Sequence, residues 1–218
     1  MSVLTFDCYG TLLNSDIIYE YIEKVAKNHG VDGQHARDIF TMYEDRLMYG
    51  EPYQDYDQIL KQILEYCDFE LKTDFFKGEY DNLIAIHFNF KLHPDVLPAL
   101  KKLKEQGHQI YLMSNTMHRF MDKHLEQFDG VVDGVFLAED MHCYKPDLNF
   151  FKQVQAKLAF TNENHVHIAK GYWWDIVPAT KLGWSKIWIN RDQKQGFERE
   201  APYLELPDLT DLVILIKK

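Results

Sequence analysis

Asp7 ends a short apolar run, Ser2 to Phe6, and leads into Cys8-Tyr9-Gly10-Thr11. Three more groups stand in the same relation to apolar runs. Ser114-Asn115 closes HQIYLMSN, Tyr144-Lys145-Pro146 comes shortly after GVFLAED, and Gly171 through Asp175 follows HVHIAKG. A carboxylate, a hydroxyl, an ammonium and a second carboxylate suit nucleophilic catalysis. One carboxylate attacks an electrophilic centre while the hydroxyl and the ammonium stabilise the negative charge that develops.

The runs themselves must bring these groups together. SVLTF, HQIYLMSN, GVFLAED, HVHIAKG and SKIWINR are short, nearly continuous and rich in β-branched or aromatic residues, which predicts buried strands. Between them lie segments of helical spacing: DVLPALKKLKEQG, stopped by Gly107, then Met117 to about Phe128, NFFKQVQAKLAF and DIVPATKLG. Alternation of this kind predicts an α/β fold with a Rossmann-like, doubly wound parallel sheet. Ligands of such sheets bind beyond the carboxyl ends of the strands, where all four groups fall. Helical spacing from Asn14 to about His29, then an aromatic-rich helical stretch from His35 to about Asn89, predicts an inserted helical domain over 14–89. The core then comprises 1–13 and 90–218.

Composition narrows the partners. The 218-residue chain carries 24 Lys and Arg against 34 Asp and Glu, a formal net charge of −10, which disfavours nucleic acid and anionic membrane as partners. No apolar stretch approaches the roughly 20 residues of a membrane span. Three cysteines, Cys8, Cys67 and Cys143, form neither a disulfide framework nor a zinc pattern. The expectation is a soluble, cytoplasmic protein acting on a small molecule, as a monomer or homodimer.

DCYGTLL, SNT, YKPD and the WWD segment, in that order, resemble the four motifs of the haloacid dehalogenase superfamily. The resemblance spans both ends of the chain and identifies the helical insert with that superfamily's cap domain. It implies that Asp7 is the nucleophile of a covalent aspartyl intermediate and that Thr11 supports its loop. It further implies that Ser114 bonds the substrate, that Lys145 holds the nucleophile and the transition-state charge, and that Asp175 is the acidic residue of the last motif. By the same resemblance Tyr9, Asn115, Gly171 and Tyr172 line the substrate site.

Within this family, position 9 divides two chemistries. Phosphatases carry there an aspartate that protonates an alkoxide leaving group, a role worth on the order of 10²–10⁴-fold. A phenol, with a reference pKa of about 10, is a poor substitute, whereas a halide needs no proton. Tyr9 therefore resembles the L-2-haloacid dehalogenase branch, and no cofactor is expected to be required. Gly171 stands where phosphatases place a magnesium-binding aspartate, with Lys170 before it. A reduced Mg²⁺ site from Asp7, the Tyr9 carbonyl and Asp175 is the alternative, with a magnesium-dependent phosphatase of a small phosphometabolite as its function. The match to dehalogenases also has gaps: Gly171 and Tyr172 replace Ser and Asn, Phe151 replaces Tyr, and the cap arginine is either Arg37 or Arg46 or neither. Those losses motivate a third reading, a binding protein on a degraded enzyme scaffold. Cys8 is expected to pack away from Asp7, and His165 and His167, alternating on one strand, to be satisfied or solvated.

Overall fold

The structure is a computed structural model and describes residues 2–216. Packing divides the chain into two compact units, Met1–Asn14 with Lys91–Lys218, and Ser15–Phe90.

Among the described residues the first unit is built on eight strands. Six of them, β1 (Val3–Asp7), β4 (Gln109–Ser114), β5 (Gly134–Leu137), β6 (His165–Ala169), β7 (Lys186–Ile189) and β8 (Leu204–Leu206), form one sheet in the order β5-β4-β1-β6-β7-β8. Every pairing in it is parallel. The other two, β2 (Leu13–Asn14) and β3 (Lys91–Leu92), make a small antiparallel pair flanking the second unit in sequence. Every residue of β1 is buried, as a central parallel strand covered on both faces requires. The chain leaves β1 for β4 and β5 on one side, then returns to β6 on the other. Asp7 therefore stands at the reversal of strand order, the crevice where open sheets bind ligands.

The second unit contains α1 (Asp16–Asn28), α2 (Gly33–Met48), α3 (Tyr56–Leu71) and α4 (Tyr80–His87). Their apolar residues recur at helical spacing, with Ile18, Ile22 and Val25 of α1 and Ile59, Leu60, Ile63 and Leu64 of α3 buried. Asp32 caps α2 by accepting the His35 N–H at 3.1 Å. Two carboxyls, Glu44 and Asp68, are buried in this unit. Glu44 receives the hydroxyls of Tyr19 and Tyr56, each at 2.9 Å, and burial pushes it up to about 7.

The helices flanking the sheet are α5 (Val96–Glu105), α6 (His118–Leu125), α7 (Ala138–Met141), α8 (Leu148–Leu158), α9 (Val177–Lys181) and α10 (Leu212–Leu215). Two details differ from expectation. GVFLAED is strand only to Leu137, because Ala138-Glu139-Asp140, good helix formers with an acidic first turn, open α7. Strand β8 extends the expected five-stranded sheet to six. It is a three-residue edge strand with Leu204 and Glu205 exposed, too short to show a period.

Candidate active site

Beyond Asp7 the chain must turn at once, and Gly10 takes φ +80°, a value that favours glycine. The Gly10 N–H donates to Leu13 O at 2.7 Å and Leu12 N–H to Cys8 O at 2.8 Å, closing a tight loop. This turn brings Thr11 back onto Asp7. Its hydroxyl donates to Asp7 Oδ2 at 2.5 Å and accepts the Lys170 N–H at 2.7 Å. The Thr11 carbonyl accepts two bonds from Arg191, at 2.9 and 3.2 Å. Arg191 also forks onto Asp95 at 2.8 and 3.1 Å, and Asp95 accepts the Leu209 N–H at 2.9 Å.

Lys145 reaches the same carboxylate from the loop after α7. Its Nζ lies 2.8 Å from Asp7 Oδ1 and 2.7 Å from Asp175 Oδ1, with all three groups buried. The Asn115 amide clamps its backbone, donating to Lys145 O at 2.9 Å and accepting Lys145 N–H at 2.7 Å. Ser114, at the end of β4, is buried, and its Oγ has no hydrogen-bond partner among the described residues. A buried hydroxyl without a partner is costly, so it is suited to a ligand's polar atom.

Asp175 arrives by an unusual route. Tyr172–Ile176 form a π-helical turn, in which the Gly171 carbonyl accepts from Asp175 N at 2.9 Å and Ile176 N at 3.1 Å. The turn folds the carboxylate back so closely that a Cβ on Gly171 would stand 2.3 Å from Asp175 Oδ2. His167, on β6, contributes a bond outside the expected set, its Nε2 lying 3.0 Å from Asp175 Oδ1.

The charges in this cluster are unequal. Burial alone would raise the Asp175 carboxyl, but Lys145 and His167 outweigh it and hold it below the usual carboxylate range. Asp7 goes the other way: burial raises it and the Asp175 charge adds to this, against the opposing pull of Lys145 and Thr11. Lys145 stays protonated, since the two carboxylates overcome its desolvation.

The remaining expected positions fall as follows. The Tyr9 hydroxyl lies 3.2 Å from Thr116 Oγ1 and 3.2 Å from His124 Nδ1, and burial raises the phenol well above its ordinary value. Tyr172 packs among Trp188, Phe197 and Tyr203, and its hydroxyl accepts the Phe197 N–H at 2.7 Å. Lys170 Nζ pairs with Asp192 at 3.1 Å. Cys8 is buried, and Phe151 packs against His167 and Trp184. Arg37 and Arg46 both belong to the second unit. Arg37 pairs with Glu23 at 2.9 Å and lies over Tyr19, while Arg46 is exposed beside Tyr43.

The carboxylate oxygens that a magnesium ion would use are already engaged. Mg²⁺ demands a near-octahedral set of oxygens. Here the ammonium of Lys145 is bonded to one oxygen of each carboxylate, Thr11 holds the other oxygen of Asp7, and Gly171 offers no side chain. Among the described residues no cluster of three or more His, Cys, Asp or Glu is placed to hold a metal, and no helix is long and apolar enough to cross a membrane.

Fold and site together define a hydrolase with a carboxylate at the switch point of a parallel sheet, and the chain belongs to the haloacid dehalogenase-like hydrolases, whose family pattern it matches over residues 1–183. It is 26% identical to (S)-2-haloacid dehalogenase 4A of Burkholderia cepacia, over 98% of this chain and 94% of that one. A crystal structure of a dehalogenase with an intermediate complex shares the fold at a TM-score of 0.85 and 22% identity, covering 100% of this chain and 98% of the other. The L-2-haloacid dehalogenase of Xanthobacter autotrophicus, solved with chloropropionic acid covalently bound, aligns at a TM-score of 0.79 and 15% identity. That alignment covers 99% of this chain and 98% of the other.

Proposed function

We propose that the protein hydrolyses a small L-2-haloacid, or a closely related small molecule, through an ester on Asp7, without a metal. One Asp7 oxygen attacks the halogen-bearing carbon, the carbon–halogen bond breaks, and halide leaves with the bonding pair. Water then adds to the ester carbonyl carbon, one of its protons passes to the departing hydroxyl oxygen and the other to solvent, and the hydroxy acid leaves as the carboxylate is restored. Lys145 and Thr11 hold Asp7 so that one oxygen lone pair faces the substrate, and Lys145 carries the charge of the addition step. Ser114 receives the substrate's carboxylate. Asn115 acts through the backbone of Lys145, and Asp175 fixes the ammonium from below. The helical unit Ser15–Phe90 serves as the cap that selects the substrate.

One observation carries this reading over phosphoryl transfer. Position 9, where an alkoxide leaving group would find its acid, holds a phenol bound to Thr116 and His124, with its pKa raised by burial. The test is halide release from L-2-chloropropionate beside phosphate release from an aryl phosphate, each with and without EDTA. Halide release that survives EDTA and vanishes in Asp7→Asn is expected; magnesium-dependent phosphate release would overturn the proposal.

A further inference from the structure

The mechanism engages Asp175 but leaves unexplained what stands behind it. His165 and His167 alternate on β6, so their side chains leave the same face. In the register of the sheet, Thr5 of β1 is paired with His167. The Thr5 hydroxyl oxygen lies 2.8 Å from His165 Nε2 and 2.8 Å from His167 Nδ1, and all three residues are buried.

The direction of these bonds follows from chemistry. An ionised carboxylate only accepts, so His167 carries its proton on Nε2 and donates to Asp175 Oδ1. In a neutral ring Nδ1 then accepts, so Thr5 donates to it and its oxygen is left to accept from His165 Nε2–H. Burial pushes the His165 imidazole well down, so it stays neutral and is able to donate from Nε2. The chain runs one way, from His165 through Thr5 and His167 to Asp175, and each hydrogen bond in it has one donor and one acceptor.

This arrangement decides how Lys145 is shared. Asp175 is fully enclosed, and Lys145 lies 2.7 Å from it and 2.8 Å from Asp7. A buried carboxylate with a single donor would draw the ammonium to itself. A second donor on the same Oδ1 satisfies part of that demand and leaves Lys145 free to serve the nucleophile.

We infer that His167 is a positioning residue for the reaction: by donating to Asp175 Oδ1, and being fixed in turn by Thr5 and His165, it keeps Lys145 divided between Asp175 and the nucleophile Asp7. It touches no substrate and acts only through Asp175 and Lys145.

The test has a spectroscopic arm and a kinetic arm, both on the full chain. Nitrogen-15-labelled protein should show one imidazole N–H proton far downfield, as expected for a buried bond to a carboxylate, absent in His167→Gln and in Asp175→Asn. In Asp7→Asn the same signal should persist but move, because Lys145 shifts toward Asp175. The kinetic arm, which rests on the aspartyl-ester reading, compares His167→Phe with His167→Gln on L-2-chloropropionate. The Phe variant should lose about 10- to 100-fold in kcat with KM nearly unchanged, the scale of a misplaced reacting group. Gln, whose amide nitrogen stands near the place of Nε2, should recover most of that loss. A signal that ignores Asp7→Asn, or a Phe variant with wild-type kcat, would overturn the inference. Wild-type protein inert toward haloacids but keeping the coupled signal would sink the substrate assignment and support the role of His167. Should the Phe variant not fold, the Gln variant and the spectrum decide.

Discussion

Adding one methyl group at Gly171 tests the geometry of the site most directly. The backbone there has φ −63° and ψ 94°, open to any L residue, so Gly171→Ala introduces no torsional strain. Its effect is steric alone. The new Cβ would stand 2.3 Å from Asp175 Oδ2 and 3.3 Å from the Cβ of Trp174, so the carboxylate has to retreat by about 1 Å to reach ordinary contact. It has little room to do so, because its other oxygen is bonded to Lys145 at 2.7 Å and His167 at 3.0 Å. A shift of that size stretches at least one of those bonds past the range of a hydrogen bond. Losing one charged bond in a closed site costs about 1.5–3 kcal/mol, which for a chain of this length lowers Tm by roughly 3–12 °C. Activity should fall about 100-fold, as it does when catalytic groups are misplaced by an ångström. Thermal unfolding and halide release measure both. The same change in an Asp175→Ala background should cost almost nothing further, since the obstructing oxygen is gone. A single variant with unchanged Tm and activity within about threefold of wild type would refute the placement of Asp175 against Gly171.

Two further expectations concern pH. Glu44 is raised to about 7 from an ordinary 4.5 by burial, so its contribution to stability is fully present below pH 4.5 and is lost as pH rises through 7. Glu44→Gln should therefore flatten the decline, gaining up to about 3 kcal/mol over wild type at pH 8 relative to pH 5 in denaturant unfolding; parallel curves would contradict this. Asp7 is raised by burial and by the charge of Asp175, yet must be ionised to attack. The acid limb of kcat/KM should lie above the ordinary carboxylate range, with activity rising as pH increases through it, and a limb at or below that range would count against Asp7 as the nucleophile.

The sheet was legible because its strands are contiguous apolar runs, and the motif residues stand at the ends of those runs or in the loops that follow them. Strand β8 was not, because three residues with two of them exposed carry no pattern. Side-chain partners were harder to read than positions. Asn115 and Tyr172, expected from the family resemblance to line the substrate site, direct polar atoms to the backbones of Lys145 and Phe197. Those partners lie 30 and 25 residues away, beyond what local spacing can report. From sequence, His167 is expected only to be satisfied or solvated. Its bond to Asp175 depends on a π-helical turn that rotates the carboxylate differently from an α-helical one, and no residue in YWWDI announces that turn. The sole hint was the alternation His165-Val166-His167, which puts two polar rings on one face of an otherwise apolar strand.

The link from Leu209 through Asp95 and Arg191 to the Thr11 carbonyl gives the last part of the chain a share in the first loop. The family match ends at residue 183, ahead of Arg191, β7 and β8. A fragment trimmed to that boundary would retain all four motifs and still lack the strut under the Asp7 loop, with β6 turned into a bare edge. The Asp7–Thr11 loop is thus a keystone set from both ends of the chain, and damage near the carboxyl terminus would surface as a fault at Asp7.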